Sequence, residues 1–224
     1  MPKALHLTRA LVDKLPATIP DPGPVADIAD LQTEVAIAGR LNHALACRPD
    51  GPLWVFAFGS LIWNPGMPVA ARRNARIQGW HRAFCLGPDT RYRGNPDNPG
   101  LMLSLDRGGV CDGVALCLPE EGLHGSLLNL FEREPPIPPL WLDVETDEGA
   151  IRALVFVAPA AGTFGHIGGL SLAEIAKQIT PAVGMFGNMP DYVLNTMEQL
   201  EAAGMHDEMI WELQTLVAAE LEAL

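Results

Sequence analysis

Apolar positions change their spacing along the chain, and each change predicts a different kind of element. Between residues 26 and 46, Ile28, Leu31, Val35, Leu41 and Leu45 recur at helical intervals, and Arg48-Pro49-Asp50-Gly51-Pro52 ends the run. Residues 1–26 carry Pro16, Pro20, Pro22 and Pro24 and predict an extended N-terminal arm. The remainder, 27–224, reads as a single domain. A strand-rich middle follows the first helix. Residues 53–58 form a short apolar run of β-formers, and 75–86 and 101–105 are strands. Asp106-Arg107-Gly108-Gly109 predicts a turn into a further strand at 111–118. Residues 140–145 and 151–158 predict a hairpin across Asp147-Glu148-Gly149. A helix interrupts this series at 119–134, with Leu123, Leu127, Leu130 and Phe131 on one face. About six strands joined by short turns predict a mostly antiparallel sheet able to close into a small barrel, hence an α+β fold.

The C-terminal part returns to helical spacing. Ser171-Leu172-Ala173-Glu174 is a capping box whose helix stops before Pro181. Asn188-Met189-Pro190-Asp191 opens a second helix, with Val193, Leu194, Met197 and Leu200 inward and Gly204 as its stop. Residues 207–224 form a third, with Ile210, Leu213, Val217 and Leu221 inward.

Charge and composition narrow the function classes. The chain has 224 residues, 48% hydrophobic and 19% charged, with a formal charge of −12. Such acidity argues against nucleic acid and against an anionic membrane face as partners. The uncharged stretches 51–71 and 153–173 are broken by Pro52, Gly59, Pro65, Gly66 and Pro68, and by Pro159, Gly162, Gly165, Gly168 and Gly169. They read as strands and loops rather than membrane spans. The N-terminus lacks the uncharged core of a signal peptide, so a cytoplasmic location is expected. Cys47, Cys85, Cys111 and Cys117 form no CxxC pair, and no His/Cys spacing matches a metal site. They read as buried thiols in a reducing compartment, and neither metal nor cofactor is expected.

Chemistry concentrates in a few segments. Phe56-Ala57-Phe58-Gly59-Ser60-Leu61-Ile62-Trp63 runs from a strand into a turn. It reads either as a strand end with a glycine at positive φ, or as a cradle of successive N–H groups for an anion or carbonyl oxygen. Ser60 lacks the surroundings of a nucleophile. Phe131-Glu132-Arg133-Glu134-Pro135-Pro136 places charges at a helix end. They are either solvated or, for Glu134 at a rigid proline corner, held partly out of water with a raised pKa suited to proton transfer. The polar loop 89–100 offers Arg91 and Arg93 as cations for a carboxylate ligand.

Taken in order across about residues 30–215, these segments resemble the ChaC family of glutathione-specific γ-glutamylcyclotransferases. The matching pieces are FAFGSLIW at 56–63, Gly79-Trp80-His81-Arg82-Ala83-Phe84, and the loop from Thr90 to Gly100 with Arg93-Gly94 and Pro99-Gly100. Leu130-Phe131-Glu132-Arg133-Glu134 matches too, as do the region 164–179 and the helix 188–204. The resemblance implies a cyclotransferase fold, a small mixed β-barrel with flanking helices. It implies Glu134 as the catalytic acid–base, and Phe58, Gly59, Ser60, Leu61, Ile62, Trp63, Arg93 and Gly94 around a small-molecule substrate. The implied reaction is attack of the glutamyl α-amine on its own γ-carbonyl, which yields 5-oxoproline and, from glutathione, Cys-Gly.

The chain departs from the family pattern at Phe58, where the family has tyrosine, at Ala57, and in Pro135-Pro136-Ile137-Pro138-Pro139, which is shorter than the family's loop. A rebuilt pocket wall is expected there. That wall suggests a second reading, a cyclotransferase on another γ-glutamyl amine or dipeptide; a third is a catalytically weak regulatory or binding protein that keeps the same scaffold.

Overall fold

The computed structural model describes residues 5–163 and 165–224. Residues 1–4 of the expected arm, and Phe164, lie outside the described residues. The chain forms two compact units. One comprises Val25–Arg82 and Ser104–Ala158; the other comprises Ala83–Leu103, Pro159–Leu224 and the N-terminal segment up to Pro24.

Five strands form a closed barrel: β1 (Leu53–Ala57), β2 (Ala71–Asp89), β3 (Gly100–Leu118), β4 (Leu140–Thr146) and β5 (Gly149–Val155), of which residues 83–89 of β2 and 100–103 of β3 are counted with the other unit. Their order around the barrel is β1-β3-β2-β4-β5. Pairing is antiparallel for β1/β3, β2/β4 and β4/β5, and parallel for β1/β5, so the sheet is mixed. The expected sixth strand does not exist separately. Residues 101–105 and 111–118 belong to the single strand β3, in which Gly108 and Gly109 have φ of 96° and 68°. The strand runs on where a turn was expected, and its two glycines carry the positive φ that other residues avoid.

The first predicted helix also differs. Residues 26–32 are a 3-10 turn, and helix α2 (Glu34–Ala46) starts afresh behind Thr33, whose side chain accepts from Ala36 N. The phase therefore slips. Ile37, Leu41 and Ala44 are buried, whereas Leu31 and Val35 are exposed. Helix α3 (Leu123–Arg133) buries the expected Leu123, Leu127, Leu130 and Phe131. Trp141 Nε1 on β4 donates to Ala44 O at 2.9 Å.

In the second unit, helices α4 (Leu172–Ile179), α5 (Met189–Ala202) and α6 (Glu208–Glu222) pack with α6 against both others. Their caps are the expected Ser171 box and Asn188, joined by Asp207 for α6, and every inward residue named for α5 and α6 is buried. The N-terminal segment is not extended throughout. It contains a four-residue helix α1 (Arg9–Val12), and its Leu7 and Val12 are buried. The buried Gln214 Oε1 accepts from Leu7 N at 2.8 Å, tying this segment to α6. Among the described residues, no helix is long and apolar enough to cross a membrane.

Candidate active site

Glu134 owes its setting to the residue that follows it. Proline at 135 excludes the helical region for its predecessor. Helix α3 therefore ends at Arg133, and Glu134 adopts an extended φ/ψ of −79°/154°, its N–H still donating to Leu130 O at 2.9 Å. The residue is half-buried. Loss of water around the carboxyl pushes its pKa up to about 7 from an ordinary 4.5, and the Arg133 charge opposes this only in part. Among the described residues the carboxyl makes no hydrogen bond or ion pair that would hold it ionised.

The turn after β1 lies in the same unit. Gly59 has φ −141° and ψ −129°, so the expected positive φ is not found. Residues 60–62 form one turn of 3-10 helix closed by Ile62 N to Gly59 O at 2.9 Å. Phe58, Leu61 and Ile62 are buried, so their side chains belong to the core, and the turn offers its backbone instead. Among the described residues, the N–H groups of Ser60 and Leu61 donate to no protein acceptor. Ser60 is half-buried, and its Oγ accepts from Arg133 Nη2 at 3.1 Å. That contact brings the turn to the helix end that carries Glu134.

Two arginines on β2 brace the turn, and sequence reading gave neither a role. Buried Arg82 donates from Nε to Phe58 O at 2.7 Å and from Nη2 to Asp112 O at 2.7 Å. Arg72 Nη1 donates to Ile62 O at 2.8 Å. The carbonyls at the start and end of the turn are thus both held by charge-assisted bonds. Arg82 stood inside the Gly79–Phe84 motif, which was the available signal.

Arg93 and Gly94 lie in the other unit. Buried Asp89 organises their loop: its carboxylate accepts from the N–H groups of Arg91, Tyr92 and Arg93 at 2.8–3.0 Å. Arg93 Nη1 donates to Asn188 O at 3.2 Å, and its guanidinium lies 4.9 Å from the Tyr192 ring centre. Gly94 is required by space, since a Cβ there would sit 2.2 Å from Asp89 O and from Gly100 N. Arg91, read as a cation for a ligand, pairs with both carboxylate oxygens of Asp21 instead. All four cysteines are free; Cys85 and Cys111 are buried and Cys117 half-buried, but Cys47 is exposed, against expectation.

A closed mixed barrel with helices, carrying a desolvated acid where a helix ends, places the protein in the cyclotransferase fold class. The fold is similar to the crystal structure of a yeast γ-glutamyl cyclotransferase specific to glutathione, with TM-score 0.66 and 20% identity over 75% of this chain and 95% of that one. Residues 53–220 match the ChaC-like protein family, and the chain belongs to it. Among similar proteins, the glutathione-specific γ-glutamylcyclotransferase of Escherichia coli is 37% identical over 181 residues, covering 79% of this chain and 78% of the relative. γ-Glutamylcyclotransferase 2-3 of Arabidopsis thaliana is 35% identical over 176 residues, covering 74% and 88%.

Proposed function

We propose that this protein is a γ-glutamylcyclotransferase that cleaves glutathione, with Glu134 as the proton carrier. The observation that carries the proposal is the Glu134 carboxyl: without a protein partner, held near pKa 7, and next to an arginine that reaches the 58–63 turn. The names of the E. coli and A. thaliana relatives support the reaction class, and that of the E. coli relative supports the substrate.

Glu134 as carboxylate takes a proton from the substrate α-ammonium. The freed amine attacks the γ-carbonyl carbon, forming a C–N bond and an oxyanion that the Ser60 and Leu61 N–H groups receive. Collapse breaks the C–N bond to the cysteinyl nitrogen, which takes the proton back from Glu134, and the ring nitrogen then gives up its second proton through the same carboxylate, leaving the lactam N–H and the released amine as an ammonium. A proton carrier works best with a pKa near the operating pH. Closing a five-membered ring within one molecule gains effective molarities of about 10⁵ M or more. A reducing cytoplasmic setting fits the four free cysteines.

A second substrate class is favoured by one feature. The proline-rich segment 135–139 directly follows Glu134, and a wall of different shape would suit another γ-glutamyl amine or dipeptide. Quantifying 5-oxoproline from a panel of γ-glutamyl compounds tests both. Glutathione is expected to lead the panel. A folded protein that leaves every member intact would remove the enzyme reading and leave the regulatory one.

A further inference from the structure

We propose that Arg133 binds the α-carboxylate of the γ-glutamyl group, so that adjacent residues 133 and 134 together read the amino acid end of the substrate. This rests on the cyclotransferase reading of the Glu134 site.

Arg133 is half-buried and closes α3. Its guanidinium is held in place from two sides. Nη2 donates to Ser60 Oγ at 3.1 Å, and Nη1 occupies space that a Cβ at Gly66 would invade, at 2.8 Å. Gly66, at φ 68°, suits that close approach. Yet among the described residues Arg133 makes no salt bridge, and Glu134 beside it feels its charge without being bonded to it. In the same unit Arg48, Arg73, Arg76 and Arg152 each pair with an acid. The chain carries 27 acidic residues against 15 basic ones, yet no carboxylate is bonded to this fixed, half-buried guanidinium. A guanidinium has five donors, and only one is used on Ser60.

The substrate supplies what is missing. In a γ-glutamyl group the α-amine and α-carboxylate sit on one carbon. If Glu134 receives the amine's proton, the carboxylate must lie close by, where a fixed cation is the fitting partner. A guanidinium takes a carboxylate with two parallel bonds, which also fixes the rotation that aims the amine at the γ-carbonyl. The carboxylate survives on the ring of 5-oxoproline, so Arg133 holds substrate and product alike. Such uniform binding acts on KM and product affinity more than on kcat.

The test compares glutathione with its analogue bearing an α-carboxamide on the glutamyl residue, in wild type, Arg133→Met and Arg133→Lys. Wild type is expected to prefer glutathione by about 30–100-fold in kcat/KM, carried mostly by KM. Arg133→Met should lose that preference, on top of any change in rate that the altered Glu134 setting brings to both compounds alike, and Arg133→Lys should recover part of it. An equal loss on both compounds would make Arg133 a structural support only and overturn the proposal. Calorimetric titration of 5-oxoproline and of its amide separates this from the reaction itself. If wild type cleaves nothing yet binds 5-oxoproline through Arg133, the carboxylate site stands and the cyclotransferase reading fails. If wild type binds acid and amide equally, the carboxylate site falls whatever the activity.

Discussion

Arg82 Nε donates to the carbonyl oxygen of Phe58 at 2.7 Å, and this bond fixes the backbone at the residue where β1 gives way to the turn. Arg82 is buried, and its Nη2 holds Asp112 O on β3 as well. Arg82→Met would leave both carbonyls short of a donor, at about 1–3 kcal/mol for each that stays buried. The expected result is a lower Tm together with a fall in kcat of about tenfold or more, because the turn's N–H groups lose their aim. Arg82→Lys should sit between the two. A folded Arg82→Met protein with unchanged kcat would show that the brace does not position the turn.

Glu134 stores a conflict between stability and activity. Its carboxyl holds a proton more tightly folded than unfolded, since burial raises its pKa from 4.5 to about 7. Between those values the folded state binds more protons, so stability falls as pH rises across that window and stays level above it. At about 1.4 kcal/mol per unit, and with partial screening because the residue is half-buried, the cost at pH 8 is about 2 kcal/mol. Glu134→Gln is therefore expected to raise Tm by several degrees at pH 8 and by little at pH 4. The same substitution should lower 5-oxoproline formation by at least about 10². Activity near that of wild type would remove Glu134 from the reaction.

The pH dependence of kcat/KM carries the same signature. Proton uptake from the ammonium needs Glu134 ionised, so the rate should fall on the acid side with an apparent pKa near 7. Arg133 holds that value down by its charge. Arg133→Met should therefore move the acid limb to higher pH, and Glu134→Gln should abolish it. A limb left in place by Arg133→Met would mean that the titrating group is not the one beside it.

Much of this was legible because local chemistry and tertiary packing agree. Helix α5 announces itself by its Asn188 opening, and α5 and α6 both by apolar residues at regular helical spacing, and the structure buries those same faces. Glu134 could be placed at a helix end because the proline after it forbids helix. Other features depend on partners far away in sequence. Arg82 has no legible role in the sequence until Phe58 and Asp112, 24 and 30 positions distant, bring carbonyls to it. Arg91 reads as available until Asp21, 70 positions away, takes its guanidinium. Glycines mislead in a different way. At 108–109 they take positive φ within a strand that continues, whereas the same pair could have reversed it. Thr33 shows how one cap resets helical phase: Leu31 and Val35 belong to the pattern by spacing, but a 3-10 turn before the cap leaves both exposed.

Gly113 gives a test of the scaffold without touching the chemistry. It lies on β3 beside the end of β1, and a Cβ there would stand 2.4 Å from Ala57 O and 2.7 Å from Phe56 Cζ. The first of those atoms is backbone of β1, and the second belongs to a fully buried ring, so neither can move cheaply. Gly113→Ala should therefore cost about 1–3 kcal/mol, as overpacking a tight core does. Gly125→Ala is the matched control. That glycine is exposed on α3 with nothing within 4 Å of an added Cβ, and alanine there should stabilise by about 0.5–1 kcal/mol. Denaturant unfolding of the two variants reads the difference directly. Because β1 leads straight into Phe58 and Gly59, a strand pushed outward at Ala57 also shifts the turn. Gly113→Ala should then lose kcat beyond the fraction unfolded, and Gly125→Ala should not. If Gly113→Ala proved as stable as wild type, β1 and β3 would have to separate more easily than this close approach allows.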